Sequence, residues 1–178
     1  MVNGESDLMR RTARRAVVAL VALTTALAGC ASDVQPEKEQ AVTPKLTWQE
    51  AKASTQAMEL EIAGRIPKEK VVAIEQKEEG TLFSCDSKQH TWLGVTIVRM
   101  VQGAEIEPIV KAIEAHYADS RYRTDHRLDV RGIYEASVSS PSSNELYLID
   151  EGDPSTVRIS SVSPCFTLPE GMYPGGLF

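Results

Sequence analysis

The sequence has no apolar run long enough to cross a bilayer. Its longest, residues 16–28, holds thirteen uncharged residues, and a spanning helix needs about 20. Basic residues are in deficit, 19 Lys and Arg against 25 Asp and Glu, for a formal charge of −6. An acidic chain argues against nucleic acid and against docking on anionic head groups. Neither a GxSxG nor an SxxK motif is present, so the sequence does not carry the local signature of a serine nucleophile. No glycine-rich loop is placed to cradle a phosphate. With three cysteines and three histidines, no Cys or His set has zinc-site spacing; "CDSKQH", Cys85 to His90, is one isolated pair.

What the chain does have is an export leader. Arg10, Arg11, Arg14 and Arg15 precede the apolar run, which ends in small residues. A basic segment, a short apolar core and a small-residue exit make a secretory signal. Met9 offers an alternative start, and the paired arginines lack the rest of a twin-arginine signal. The exit, "LAGC" at residues 27–30, resembles the lipobox of bacterial lipoproteins. The resemblance implies cleavage before Cys30 and a diacylglycerol on the Cys30 sulfur. One acyl chain binds only marginally, whereas two give a stable anchor. The expected organisation is therefore a signal peptide over 1–29, the lipidated Cys30 and a flexible tether over 30–45, and one domain over 46–178. Four arginines and two acids fall in the leader, leaving 15 basic and 23 acidic residues, a net charge of −8. The tether, with two prolines and no apolar period, reads as extended and polar.

Cys85 and Cys165 remain, in a compartment where disulfides persist. A bridge between them is the expected pairing, with a reactive thiol or a metal ligand as the competing reading. It would close a loop of about 80 residues, for which chain entropy alone predicts about 4.5 kcal/mol.

Periodicity supplies the elements. Thr47 and Glu50 fit a capping box, and Trp48, Ala51, Thr55, Met58 and Ile62 recur at helical steps. Gly64 and Pro67 mark the end. This predicts a helix over about 48–63, with Trp48 facing the core. "VVAIEQ", "TLFSC" and "HTWLGVTIVRMV" read as strands, the third central because it is the most apolar. Trp92 and Gly94 share a side of it. Ile106, Ile109, Val110, Ile113 and Tyr117 form the stripe of a second helix, with Pro108 in its first turn. Four further strands, "YRTDHRLDV", "GIYEASVS", "ELYLIDEG" and "TVRISSVS", are separated by turn clusters. Short turns between consecutive strands imply a meander. The predicted fold class is α+β: a two-layer sandwich of a mainly antiparallel sheet with two helices on one face, tied by one disulfide. The Pro/Gly-rich end "LPEGMYPGGLF" reads as an irregular tail that covers a sheet edge, with a partner-contact loop as the other reading.

The lipobox, the "LFSC" cysteine after a strand, the nearby Trp92 and Gly94, a helix and the closing "SPCF" together resemble the LppA-like lipoproteins of actinobacteria. The resemblance covers most of the mature chain. It implies an envelope location, a disulfide and an α+β domain. The family carries no assigned reaction, so no catalytic residue transfers.

The remaining polar residues give no catalytic constellation. His116 borders the apolar stripe of the second helix. In "DHRLD", Asp125 and Asp129 share a face of a strand and His126 points the other way. "EQKEEG" and "IDEGD" read as solvated turns. The expectation is a lipid-anchored, non-enzymatic binding or scaffold module on the extracytoplasmic face of the cell membrane. It has no cofactor, no metal and no catalytic residue. Its partners are the membrane, through the diacylglycerol, and an envelope protein, with no nucleic acid. The alternative is an envelope hydrolase or carbohydrate-binding accessory with a carboxylate site. Substituting Cys30→Ser should move the protein from the membrane fraction to the soluble fraction; continued attachment would refute the lipobox reading.

Overall fold

The computed structural model describes residues 45–178. The leader, Cys30 and the tether up to Pro44 lie outside the described residues.

The first helix, α1 (Trp48–Ala63), begins where the capping box places it. Thr47 Oγ1 accepts from the Glu50 amide at 3.2 Å, and the Thr47 amide donates back to the Glu50 carboxylate at 2.9 Å. These bonds hold the Glu50 carboxyl below the usual range. A short 3-10 turn (Lys68–Lys70) leads into β1 (Val71–Gln76), followed by β2 (Thr81–Ser84) and the long β3 (Gln89–Met100). Then come α2 (Ile106–Ala118) and the strands β4 (Arg123–Leu128), β5 (Tyr134–Ser139), β6 (Leu146–Glu151) and β7 (Thr156–Val162). A two-residue strand, β8 (Phe166–Thr167), was not expected from sequence. It is too short to show a period.

All strand pairs are antiparallel, in the order β1-β3-β7-β6-β5-β4. β4 to β7 form the predicted meander, and β7 docks on β3. β2 lies beyond β1 on the same side of β3, because Leu93 pairs with both Thr81 and Val162. The fold is the predicted α+β sandwich. Both helices lie on one face, α1 against β3 and β7, and α2 against β4, β5 and β6. The main core joins Ile62, Ile109, Val110 and Ile113 of the helices to Val98, Val138, Tyr147, Ile149, Val157 and Ile159 of the sheet. A second, smaller cluster of Ala51, Trp92 and Phe166 is flanked by Trp48, Leu82 and Phe178.

Cys85 and Cys165 form the expected disulfide, 80 residues apart in sequence. Cys85 follows β2 rather than lying in it, and Cys165 sits between β7 and β8. The bridge thus clamps together the two segments that flank the start of β3, rather than two remote halves of the sheet. The tail does cover an edge. Gly80 and Phe178 exchange both backbone hydrogen bonds, at 2.9 and 3.0 Å, and Leu177 bridges Thr81. The Phe178 ring meets Trp48 edge-on, and its carbonyl accepts from Trp92 Nε1 at 3.2 Å.

The packing between α1 and the sheet contains a fully buried carboxylate, Glu59. It accepts from Gln76 Nε2 on β1 at 2.8 Å, from Thr96 Oγ1 on β3 at 2.7 Å, and from the Ser161 hydroxyl on β7. A buried carboxylate without hydrogen bonds is very costly, and three strong donors offset that cost. Gly94 makes room for it: a Cβ there would stand 2.2 Å from the Trp92 ring and 2.8 Å from Glu59 Oε1. Replacing Glu59 with Ala strands three donors, each worth about 1–3 kcal/mol if left unpaired. Glu59→Ala should therefore lose roughly 3 kcal/mol and Glu59→Gln about 1 kcal/mol, because rotatable hydroxyls can accept from an amide. Urea unfolding midpoints measure both; an unchanged Glu59→Ala midpoint would show that the cluster holds nothing.

Candidate functional site

With both helices on one side, no helix or strand among the described residues covers the other face of the sheet. Strand register places its side chains, since directly paired residues share a face. Leu93 pairs with Val162 and Val162 with Leu146. Val95 pairs with Ser160 and Ser160 with Leu148. Ile97 pairs with Arg158 and Arg158 with Asp150. Six apolar side chains, Leu93, Val95, Ile97, Leu146, Leu148 and Val162, thus lie half-buried across three neighbouring strands. Towards β4 the face becomes polar. Asp125, His126, Arg127, Glu135 and Ser137 join Leu146 and Leu148 around a shallow depression of about 300 Å³.

Ion pairs border the apolar patch. Arg99 bridges Glu75 at 2.7 Å, Arg127 bridges Glu135 at 2.6 Å, and Arg158 holds Asp150 through both carboxylate oxygens. Arg131 bridges Asp129 at 2.7 Å and reaches Asp150 at 3.6 Å. Asp150 is almost fully buried, and its pairing raises the Arg158 guanidinium above its ordinary value. This corrects the reading of "EQKEEG" and "IDEGD" as wholly solvated: Glu75 and Asp150 lie in the strands expected for them and pair with arginines. Their partners lie on neighbouring strands, where a local window does not see them.

The "DHRLD" segment divides as follows. β4 ends at Leu128, so Asp129 lies outside the strand and does not extend the face of Asp125. It accepts from the Arg131 and Ile133 amides at 2.7 and 2.9 Å and closes the turn, which holds its carboxyl below the usual range. Asp125 lies on the uncovered face. His126 turns to the helix side, where its Nδ1 is 2.9 Å from Glu114 Oε1 of α2. The other Glu114 oxygen accepts from the Tyr134 hydroxyl. The His126 and Tyr134 rings stack at 5.0 Å, and Lys111 Nζ lies 4.8 Å from the Tyr134 ring centre. Burial pushes the Glu114 carboxyl up, but the bonds from Tyr134 and His126 and the His126 charge outweigh it and leave the group below its usual range. Burial and the Glu114 bond push the Tyr134 hydroxyl up to about 12.

Chemically, the Glu114 dyad fixes the orientation of an imidazole whose side chain is 56 % exposed. No Ser, Thr or Cys side chain among the described residues is hydrogen-bonded to His126. His116 is exposed and stacks edge-on against Tyr117. His90 sits on β3 between Ser84 and Phe166, next to the disulfide. Among the described residues, no cluster of three His, Cys, Asp or Glu side chains has metal-binding geometry, and no helix is long and apolar enough to cross a membrane. Sequence reasoning did not find Glu59 or the Glu114–His126–Tyr134 group. The Thr55, Glu59, Ala63 spacing at steps of four was a signal for the first; for the second there was none, since twelve residues and a loop separate Glu114 from His126.

Comparison with protein-family models, with curated proteins and with solved structures finds no match.

The Glu114 network gives a test in acid. Its folded carboxyl lies below the ordinary 4.5, so its contribution is present above about pH 4.5 and is lost as pH falls through the lower folded value. Glu114→Gln should be less stable than the parent at pH 7, with the gap in urea midpoint closing by pH 3.5. A pH-independent gap would show that the carboxylate charge plays no part.

Proposed function

We propose that this chain is a lipid-anchored, non-enzymatic binding module on the extracytoplasmic face of the cell membrane, whose uncovered sheet face takes an envelope protein partner. The observation that carries the reading is that face: a half-buried apolar centre bordered at one end and towards β4 by arginine–carboxylate pairs. Protein interfaces combine an apolar centre with a polar, arginine-enriched rim. The face is flat and shallow, which suits a macromolecular surface better than a small molecule; small ligands are usually enclosed in deep pockets. The leader and lipobox of the sequence supply the address, and the resemblance to LppA-like lipoproteins is consistent with it.

The alternative, an envelope hydrolase or carbohydrate-binding accessory, draws on His126 and its orienting Glu114. Against it, no Ser, Thr or Cys side chain among the described residues is hydrogen-bonded to His126.

A photoreactive residue at Leu148 should give a discrete protein adduct in intact cells, and one at Glu107 on the outer side of α2 should not. Ser160→Arg on the same face should abolish the Leu148 adduct without changing the melting temperature. An adduct that survives Ser160→Arg, or that forms equally from Glu107, would overturn the assignment of this face.

A further inference from the structure

The small cluster of Ala51, Trp92 and Phe166 is where the chain enters the domain and where its tail returns. Leu46 and Trp48 pack on it from the entering chain, Leu82 from β2, and Leu168 and Phe178 from the tail. Two of these have a sequence neighbour that turns outward. Phe83, beside Leu82, is 63 % exposed, and Leu177, beside Phe178, is 67 % exposed. Thr81 pairs with Leu93 on one side and with Leu177 on the other. Directly paired residues share a face, and Thr81 and Phe83 share one by alternation. Leu177 and Phe83 therefore stand on the same side of β2. The tail adds Met172 and Tyr173, the latter 78 % exposed. Among the described residues no Phe, Tyr or Trp other than Phe83 and Tyr173 is exposed. These side chains sit on a firm base. Cys85, directly after β2, is bonded to Cys165, and Gly80 exchanges both backbone hydrogen bonds with Phe178. The Tyr173 ring lies over Gly175, where a Cβ would stand 2.4 Å from its hydroxyl. Side chains already held in place lose little freedom when they are buried.

We propose that this end of the domain docks on the bilayer, with Phe83, Tyr173 and Leu177 seated among the head groups and upper acyl chains. The proposal rests on the lipid anchor at Cys30. Exposed apolar groups of this kind mark a protein partner or a membrane, and the chain outside the structure decides between them. Residues 31–45 separate Cys30 from Leu46, a reach of at most about 50 Å at full extension. They lead directly into the cluster that Leu82 and Phe178 share with Leu46, so the anchor delivers this end of the domain to the bilayer first. A tether turns docking into an intramolecular event at high effective concentration. A contact too weak to hold a free protein then suffices, as one signal does beside another in lipid-anchored proteins. A ring with an apolar body and a polar tip, such as Tyr173, suits the membrane interface. The chain's negative charge gives no attraction to anionic head groups, so the apolar side chains carry the contact. β6, with Leu146 and Leu148, is separated from β2 by β3 and β7 and stays open to the protein partner proposed above.

The test uses the full chain in cells that express it. A photoreactive residue at Phe83 should give adducts with phospholipid and no discrete protein adduct. One at Val130, fully exposed in the turn after β4, should give no lipid adduct. Leu177→Asp and, separately, Tyr173→Asp should cut the lipid adduct at Phe83 about tenfold, while the chain stays in the membrane fraction with an unchanged melting temperature. A discrete protein adduct at Phe83, equal lipid adducts from Phe83 and Val130, or a yield indifferent to both substitutions would each overturn the proposal. A chain that stays in the membrane fraction without a lipid adduct at Phe83 defeats the docking and leaves the anchor standing. A lipid adduct that survives Cys30→Ser defeats the anchor and leaves the docking standing.

Discussion

Glu59 is the point on which the packing of the first helix depends. One buried carboxylate receives hydrogen bonds from Gln76, Thr96 and Ser161 on three different strands. Those donors lie 17, 37 and 102 residues away in sequence. A greasy contact tolerates a slide of α1 along the sheet; this one does not, because a shift of one residue would bury a charge without donors. The constraint spreads outward through Gly94, which must lack a side chain to admit both Glu59 and the Trp92 ring. Trp92 in turn donates to the Phe178 carbonyl, and the Phe178 ring meets Trp48 edge-on at the start of the same helix. The polar centre and the smaller apolar cluster are therefore one unit.

The consequence of seating both helices on one face is a sheet with two unlike sides. The covered side is apolar except for the Glu59 group and the Glu114–His126–Tyr134 network towards β4. The uncovered side keeps its apolar residues in the middle strands and borders them at one end and towards β4 with arginines, each held by a carboxylate on an adjacent strand. These pairs add little stability where they are exposed. Asp150 is different, since it is almost fully buried and is paired with both Arg158 and Arg131. The bidentate Arg158–Asp150 contact links β6 to β7 on the side that no helix supports.

Most of the fold was legible because its elements are locally consistent. The capping box and the three-four spacing define α1, the stripe from Ile106 to Tyr117 defines α2, and the turn clusters separate β4 to β7. The Cys85–Cys165 bridge followed from counting cysteines once Cys30 was assigned to lipid. What was not legible is whatever depends on contacts between distant segments. The docking of β7 on β3, the reuse of β3 by β2 and β8, and the arginine pairing of Glu75 and Asp150 all arise from cross-strand partners. The charged residues misled for the same reason. A carboxylate in a polar run reads as solvated until the arginine or hydroxyl that faces it is known.

The disulfide and the Glu59 cluster divide the work between them. The loop closed by Cys85 and Cys165 contains β3, α2 and β4 to β7. It excludes α1, β1, β2 and the tail, which no covalent cross-link restrains. Those excluded pieces hold one another instead: Phe178 pairs with Gly80 and packs on Trp48, and Glu59 binds Gln76 of β1 together with Thr96 and Ser161 inside the loop. If the chain hangs from a lipid on Cys30, every pull from the membrane enters at Thr47 and reaches α1 first. The element that takes the load is then the one the disulfide does not protect. A buried carboxylate with three donors resists sliding more sharply than an apolar contact, because its hydrogen bonds are short-ranged and directional.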